Sequence, residues 1–92
     1  MEPNFTGNVW IANGRAFRNP GVAILDSGLF EISDISLKVY DYGTLVKTYR
    51  INTLWIGSVA IHLSLPNGSY DIQLVNNSWE TVKLTGGEVW YK

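Results

Sequence analysis

Turn-forming residues recur at short intervals along the chain, and this spacing constrains the possible folds more than any other feature. They stand at 13–14, 19–21, 26–28, 41–43, 66–68, 76–77 and 86–87. The apolar positions between them are mostly β-branched or aromatic, and no stretch keeps a helical apolar spacing for three turns. Short apolar segments divided by frequent turns are typical of an all-β sandwich or barrel.

The segments between the turns predict short strands. They lie at 8–12, 15–18, 22–25, 29–32, 35–41, 45–51, 58–64, 69–75, 79–84 and 88–91. Asn13 and Gly14 suit a two-residue type I′ turn, in which both central residues need a positive φ. We therefore expect the chain to form a hairpin at this dipeptide.

Alternation along the later strands separates a core face from an outer face. The side chains expected in the core are Ile35, Leu37, Val39, Val59, Ile61, Leu63, Tyr70, Ile72, Leu74, Val82 and Leu84. Those expected on the outer faces are Ser36, Lys38, Tyr40, Ala60, His62, Asp71 and Gln73. One buried face per strand is the arrangement that a two-layer sandwich needs.

Length and charge narrow the class of protein. A chain of 92 residues is expected to form one domain over 1–92, in which 1–34 are either sandwich strands or a partly separate N-terminal hairpin or arm. The net charge is −1 and the seven Lys and Arg form no basic face, so we expect no nucleic-acid partner. The absence of cysteine excludes disulfides and thiolate chemistry.

The N-terminal segment bears on where the chain is used. The first ten residues have neither the basic segment nor the apolar core of a signal peptide. No apolar run approaches the ~20 residues of a membrane-spanning helix, so we expect no membrane span. Two settings stay open: a virion protein made in the host cytoplasm, or a secreted or cell-surface protein whose natural signal has been replaced by Met1.

Residues 65–70, Leu-Pro-Asn-Gly-Ser-Tyr, predict a corner at which the chain crosses from one sheet to the other. Pro66 presets φ for a turn, and Gly68 tolerates a positive φ. Tyr70 then enters the core with a hydroxyl that reaches back to a carbonyl of the turn, as in a tyrosine corner. Leu65 completes this structural corner. The alternative is an ordinary β-turn followed by a core tyrosine.

Turn and core residues within 35–84 also follow a recurrent pattern. Its positions are Val39, Tyr40, Asp41, Gly43, Leu45, Val46, Ile61, Leu63, Leu65, Pro66, Gly68, Tyr70, Ile72 and Leu74. In them the chain resembles the small immunoglobulin-like modules of Bacteroidetes secreted and surface proteins, including the C-terminal sorting domains of type IX secretion. The resemblance implies an immunoglobulin-like antiparallel β-sandwich of about seven to nine short strands. Residues 1–34 do not match, and a phage of such bacteria is one setting for the module.

Residues able to carry chemistry are few. His62 is the only histidine, and it lacks both the partners of a usual zinc site and the orienting acid of a triad. Asp26, Glu31 and Asp34 are candidates to surround a calcium ion, but their spacing matches no calcium loop. We therefore expect no catalytic residue, no metal and no cofactor, and the chain is not expected to be an enzyme.

Aromatic residues are the compositional excess, with four Trp, five Tyr and three Phe. Leu54, Trp55 and Ile56 stand where a connection should be polar, and Trp90 and Tyr91 form a second apolar group near the C-terminus. Exposed apolar groups of this kind mark protein interfaces. These five residues are the candidate partner interface. The alternative for 54–56 is that the segment folds back and caps the open end of the sandwich.

Together these features favour a non-enzymatic structural module that acts through protein–protein interaction. We expect an auxiliary or decoration protein docked on a viral capsid or another large assembly, with a capsid or assembly subunit as partner and a homo-oligomer possible. The alternative function is a secreted or surface-attached bacterial binding module for glycans, in which Trp and Tyr stack on sugar rings. It predicts an exposed row of aromatic side chains with polar neighbours.

Overall fold

The computed structural model describes residues 4–5, 7–27, 34–51, 55, 57–77, 82–84 and 86–91, and the structural statements below concern these residues. They form a 3-10 helix over Ile11–Gly14 and ten strands. The strands are β1 (Asn4–Phe5), β2 (Asn8–Trp10), β3 (Phe17–Arg18), β4 (Pro20–Asp26), β5 (Ile35–Asp41), β6 (Thr44–Ile51), β7 (Ser58–His62), β8 (Ser69–Asn76), β9 (Val82–Lys83) and β10 (Gly86–Tyr91). The predicted strand at 29–32, and residues 79–81 of another, lie outside the described residues.

Two antiparallel sheets pack against each other, which confirms the predicted all-β sandwich. The large sheet has the order β2-β8-β5-β6, and β3 pairs with a further part of β8. The small sheet has the order β10-β4-β7, with β4 in the centre. β1 and β9 form a separate two-stranded pair. The immunoglobulin-like topology stays a prediction.

The core between the sheets consists of alternate strand residues, as the sequence predicts. The predicted core positions are buried, and Val59 is half-buried against them. Ile11, Ala23 and Leu25 belong to the same hydrophobic cluster. Residues from the first third of the chain therefore help to build the sandwich core.

The hairpin predicted at Asn13 and Gly14 is wrong. β2 and β3 do not pair with each other, because both pair with the same edge of β8, at 73–75 and at 69–70. β8 supplies hydrogen-bond partners to both segments, so the chain continues along its edge instead of turning back. The 3-10 helix between them accommodates the extra residues and places Ile11 in the core.

A two-residue turn of the expected kind lies between β5 and β6 instead. Tyr42 and Gly43 have φ values of 48° and 82°, and Asp41 pairs with Thr44 directly across the strands. Two positive φ values match a type I′ turn, whose twist suits the flanking strands. Tyr42 stands at the tip and is 97% exposed.

Two of the places at which the chain crosses between the sheets are neighbours, and hydrogen bonds join them. At the first, Asn19, with a φ of 50°, leads from β3 in the large sheet to β4 in the small sheet. At the second, residues 63–68 lead from β7 back to β8. The Gly68 N–H donates to Asn19 Oδ1 over 2.8 Å, and the Asn19 N–H donates to the Gly68 carbonyl over 2.7 Å.

The second crossing also contains the hydrogen bond expected of a tyrosine corner. The hydroxyl of buried Tyr70 donates to the carbonyl of Pro66 over 2.7 Å. A Cβ on Gly68 would stand 3.2 Å from the Tyr70 hydroxyl, so glycine at this position leaves room for the bond. Leu65, before the turn, is buried in the core.

Two further contacts stabilise the sandwich, one between the sheets and one within the small sheet. The Tyr49 hydroxyl of β6 donates to the Leu63 carbonyl just after β7 and so links the two sheets; burial raises the pKa of this phenol. Ser27 N–H donates to the Gly57 carbonyl over 2.7 Å, and Gly57 N–H donates to Ser27 Oγ over 3.0 Å. The second pair extends the contact between β4 and β7 beyond the strand ends.

An ion pair ties the start of β5 to β6 and β8. Arg50 donates two hydrogen bonds of 2.9 Å to the Asp34 carboxylate, and Asn77 Nδ2 donates a third over 3.1 Å. The bonds from Arg50 hold the pKa of the Asp34 carboxyl below its ordinary value, and Asp34 raises the pKa of Arg50. Asp34 has a φ of 56°, a conformation that Asp and Asn adopt more readily than most residues.

Removal of the corner hydroxyl should weaken the fold measurably. We expect Tyr70→Phe to lower the free energy of unfolding by about 1 kcal/mol, because the Pro66 carbonyl loses its donor. Urea unfolding followed by tryptophan fluorescence measures this loss. Tyr42→Phe is the matched control, since that hydroxyl is at an exposed turn tip, and should change the free energy by less than about 0.5 kcal/mol. Equal losses in both variants would contradict the assigned role of the corner.

Asp34 should give stability a pH dependence in the acid range. Its pKa is lower in the folded chain, so its contribution is present above the unfolded value of about 4 and is lost as pH falls through the folded value. Asp34→Asn keeps the backbone conformation and removes the charge. The difference in urea midpoint between the parent chain and this variant should shrink between about pH 6 and about pH 2. A difference independent of pH would refute the assignment to the carboxylate.

Candidate protein-interaction surface

The outer face of the small sheet carries apolar side chains in cross-strand rows. β4 pairs with β10 on one side and β7 on the other, which aligns Trp90, Val22 and His62 in one row. The next row is Glu88, Ile24 and Ala60. These residues alternate with buried Ala23, Leu25 and Ile61, so they stand on the opposite face from the core. We call Val22, Ile24, Ala60 and Trp90 the small-sheet face.

β4 is the element that makes this face apolar. Its sequence Val22-Ala23-Ile24-Leu25 is apolar at every position, whereas a strand with one face in water alternates between apolar and polar residues. Val22 and Ile24 are half-buried between the neighbouring strands β7 and β10. A strand of this composition is typical of a sheet covered on both faces.

Trp90 extends the apolar surface at the edge of the small sheet, and the neighbouring Tyr91 is also exposed. They are 58% and 60% exposed. The indole N–H of Trp90 donates to Glu88 Oε2 over 2.7 Å, so its polar group has a partner on the same face of β10. The ring surface of Trp90 is therefore left as the accessible apolar part of the side chain.

The other predicted interface segment is only partly described. Trp55 is half-buried and packs against the hydrophobic core, as expected if this segment caps the sandwich. Its indole N–H is buried and has no hydrogen-bond partner in the part of the chain that the structure describes. Leu54 and Ile56 lie outside the described residues. Of the five candidate interface residues, the structure places Trp90 and Tyr91 at the surface and Trp55 against the core.

The outer face of the large sheet carries a second, more polar aromatic group. The rings of Trp10 and Tyr40 lie 5.1 Å apart between centroids, at 55° to each other, and Trp10 is 40% exposed. The Tyr40 hydroxyl donates to Gln73 Oε1 over 3.0 Å. Gln73 is on the predicted outer face but is only 9% exposed, because β2 and β5 flank it on both sides. Its expected exposure is therefore wrong.

Groups able to do chemistry are dispersed. His62 is exposed on the outer face of β7, as predicted, and Ser58 on the same strand donates its hydroxyl to Asp26. Asp34 is engaged by Arg50, and Glu31 lies outside the described residues. Among the residues with a described position, no three His, Cys, Asp or Glu side chains group as metal ligands. No helix within the described ranges is long and apolar enough to span a membrane.

Sequence reasoning missed the contribution of β4 to the surface. The unbroken apolar run at 22–25 is a signal of burial on both faces, but the run alone does not say what lies on either side. The register with β7 and β10 decides that one face meets the core and the other meets solvent.

A charge on the small-sheet face should be compatible with folding. Ala60 is exposed, so we expect Ala60→Glu to change the free energy of unfolding by less than about 0.5 kcal/mol. Leu25→Ala, on the core face of β4, should cost about 2–5 kcal/mol because it leaves a cavity. Denaturant unfolding of both variants measures the contrast. A large loss for Ala60→Glu would mean that this face is already packed within one chain.

Comparisons of the chain with protein-family models, curated proteins and solved structures found no match. The resemblance to bacterial sorting modules therefore stays a prediction.

Proposed function

We propose that the chain is a non-enzymatic protein-interaction module that docks on a large protein assembly through the small-sheet face. The observation that carries the proposal is the apolar outer surface of β4, continued by exposed Trp90. Aromatic side chains are enriched at the energetic centres of protein interfaces. Glu88 and His62 border the apolar rows and supply the polar rim of such an interface.

The physical basis is the cost of leaving this face in water. Burial of apolar surface contributes about 25 cal/mol per Å². A stable interface covers about 800 Å² of each partner. This is a large share of a chain whose whole accessible surface is 5541 Å², so docking would involve much of one side of the sandwich. The apolar rows supply the part of that area from which water is most readily displaced.

The setting we propose is an auxiliary or decoration protein on a viral capsid or a comparable assembly. The sequence supports it through the resemblance of 35–84 to small immunoglobulin-like modules and through the scarcity of catalytic groups. A repeating assembly presents the same docking site many times, which suits a small module without chemistry of its own. The partner is then a coat or assembly subunit.

Site-specific photo-crosslinking tests the docking face. Benzoylphenylalanine replaces Ala60 on the small-sheet face and, as the matched control, Thr48, an exposed position on β6 of the large sheet. Both chains are expressed in cells that naturally make the protein, and crosslinked products are identified by mass spectrometry. We expect one repeating subunit to be captured from position 60 and not from position 48. Equal capture from both positions, or capture from position 48 alone, would exclude the small-sheet face as the docking site.

A glycan-binding module is the second candidate function, and the large sheet favours it. Trp10 offers an exposed aromatic ring, and Lys38 and Asp71 lie on the same face beside Tyr40 and Gln73. Sugar binding uses such a combination, in which a ring stacks on the sugar and polar groups bond its hydroxyls. Trp10 and Tyr40 are tilted by 55°, so one ring, and not a flat row, provides the stacking surface.

Tryptophan fluorescence distinguishes this candidate from protein docking. If the large sheet binds glycans, titration with a panel of polysaccharides should shift the emission of the parent chain and of Trp90→Ala, because Trp90 is on the other sheet. Trp10→Ala should lose the shift. An unchanged spectrum across the panel, or a shift lost only in Trp90→Ala, would rule out a glycan site at Trp10.

A further inference from the structure

In the part of the chain that the structure describes, β10 is an edge strand of the small sheet. Within the described part of the chain it pairs only with β4, so its other side presents unpaired backbone groups. Natural edge strands are usually protected by Lys, Pro, bulges or a covering segment. The sequence of β10, Gly86-Gly87-Glu88-Val89-Trp90-Tyr91, contains neither Lys nor Pro. The register irregularity near its end results from Gly21, an extra residue in β4, so β10 itself is regular.

The edge of the large sheet shows the contrast. β6 carries Lys47 and Arg50, and a register shift leaves Val46 as an extra residue in this strand. Its Tyr49 hydroxyl is bonded to the Leu63 carbonyl across the sandwich. Two basic side chains, a bulge and a side-chain bond to the other sheet therefore protect β6. β10 has no basic residue and no bulge of its own, and its one charged side chain, Glu88, is bonded to Trp90 of the same strand.

We propose that β10 pairs with β10 of a second copy, which makes the module a homodimer with a continuous six-stranded sheet. In an antiparallel pair related by a two-fold axis perpendicular to the sheet, the axis passes between the two copies of one residue, which face each other. The sequence of β10 favours Val89 as that residue. Glu88 then faces Trp90 of the second copy, and Gly87 faces Tyr91 of the second copy.

The chemistry of these pairs is complementary. Within one chain, the Trp90 indole already donates to the Glu88 carboxylate over 2.7 Å, so the two groups suit each other on this face. Across the dimer, each carboxylate meets an indole and not another carboxylate. An aromatic side chain opposite a glycine compensates for the packing that glycine lacks in a strand.

Other registers are less favourable. An axis through Glu88 would place two carboxylates directly opposite each other, and like charges in that position are destabilising. An axis through Trp90 would pair only residues 89–91 within the strand, whereas the axis through Val89 pairs 87–91. The proposed register therefore joins the most backbone groups without opposing charges.

Dimerisation would extend the docking surface beyond one chain. The new sheet has the order β7-β4-β10-β10-β4-β7, which places the small-sheet faces of both copies on one side. This inference goes beyond the proposed docking role and does not depend on it, because strand pairing uses the edge of the sheet and docking uses its outer face.

Light scattering over a range of concentrations tests the dimer. We expect the mass of the parent chain to approach twice 10.3 kDa as concentration rises. Trp90→Lys places a charge at the pairing edge and should raise the dimer dissociation constant about tenfold or more. Thr48→Lys, at an exposed position on β6, is the matched control and should leave the dissociation constant unchanged. Circular dichroism establishes that each variant is folded before its mass is measured.

Cysteine crosslinking tests the register, because the chain has no native cysteine. Directly opposed strand residues have Cα atoms about 4.5–5.5 Å apart, within the span of a disulfide. An equimolar mixture of Glu88→Cys and Trp90→Cys chains should form a mixed disulfide dimer under mild oxidation. Either variant alone should crosslink much less, since the proposed axis does not bring two copies of position 88 or of position 90 together.

Three results would overturn the inference. They are a monomer at all concentrations, a dimer that Thr48→Lys weakens more than Trp90→Lys does, and self-crosslinking of one variant in preference to the mixture. A monomer whose position 60 still captures an assembly subunit would refute the dimer and leave the docking function in place. A dimer whose position 60 captures no assembly subunit would support the dimer and refute the docking function.

Discussion

The reciprocal hydrogen bonds between Asn19 and Gly68 are the contact on which the arrangement of the sheets depends. They join two neighbouring places at which the chain passes from one sheet to the other. The tyrosine corner stiffens the same region, since Tyr70 binds the Pro66 carbonyl from within the core. With these crossings held together, β4 and β8 are placed in opposite layers, and their apolar residues meet between the sheets.

The position of β4 follows from this constraint and explains the candidate surface. Because β4 leaves the first crossing as the central strand of a three-stranded sheet, Ala23 and Leu25 face the core while Val22 and Ile24 face outward. The outer faces of the two sheets then differ in polarity. On the large sheet, the Tyr40 hydroxyl donates to the side-chain oxygen of Gln73, and the Tyr40 ring packs against Trp10. On the small sheet, Ile24 stands beside the small Ala60 of β7, and Val22 stands beside the exposed Trp90 of β10. Apolar surface therefore remains accessible on this face.

The features of the fold that could be predicted depend on residues that are close together in the sequence. Strand alternation correctly assigned the buried positions of β5, β7 and β8, because the side-chain period of a strand is a local property. The corner at 65–70 could also be predicted, since the proline, glycine and tyrosine that form it lie within six residues. At the candidate surface, the sequence identified Trp90 and Tyr91 as apolar near the end of the chain. For 54–56 it left open an interface or a cap on the sandwich, and the structure places Trp55 against the core.

The sequence by itself determined the all-β class, the alternation of most strands and the turn chemistry, because each depends on the conformational preferences of neighbouring residues. Only the tertiary structure decided which strands are neighbours. It placed β2 and β3 along one edge of β8, where the sequence suggested a hairpin, and it gave the apolar run of β4 one buried and one open face. Apart from the β5–β6 hairpin, strand pairing joins residues 31 or more positions apart, so no local preference specifies it. The competition between possible partners is resolved only when the whole core is packed.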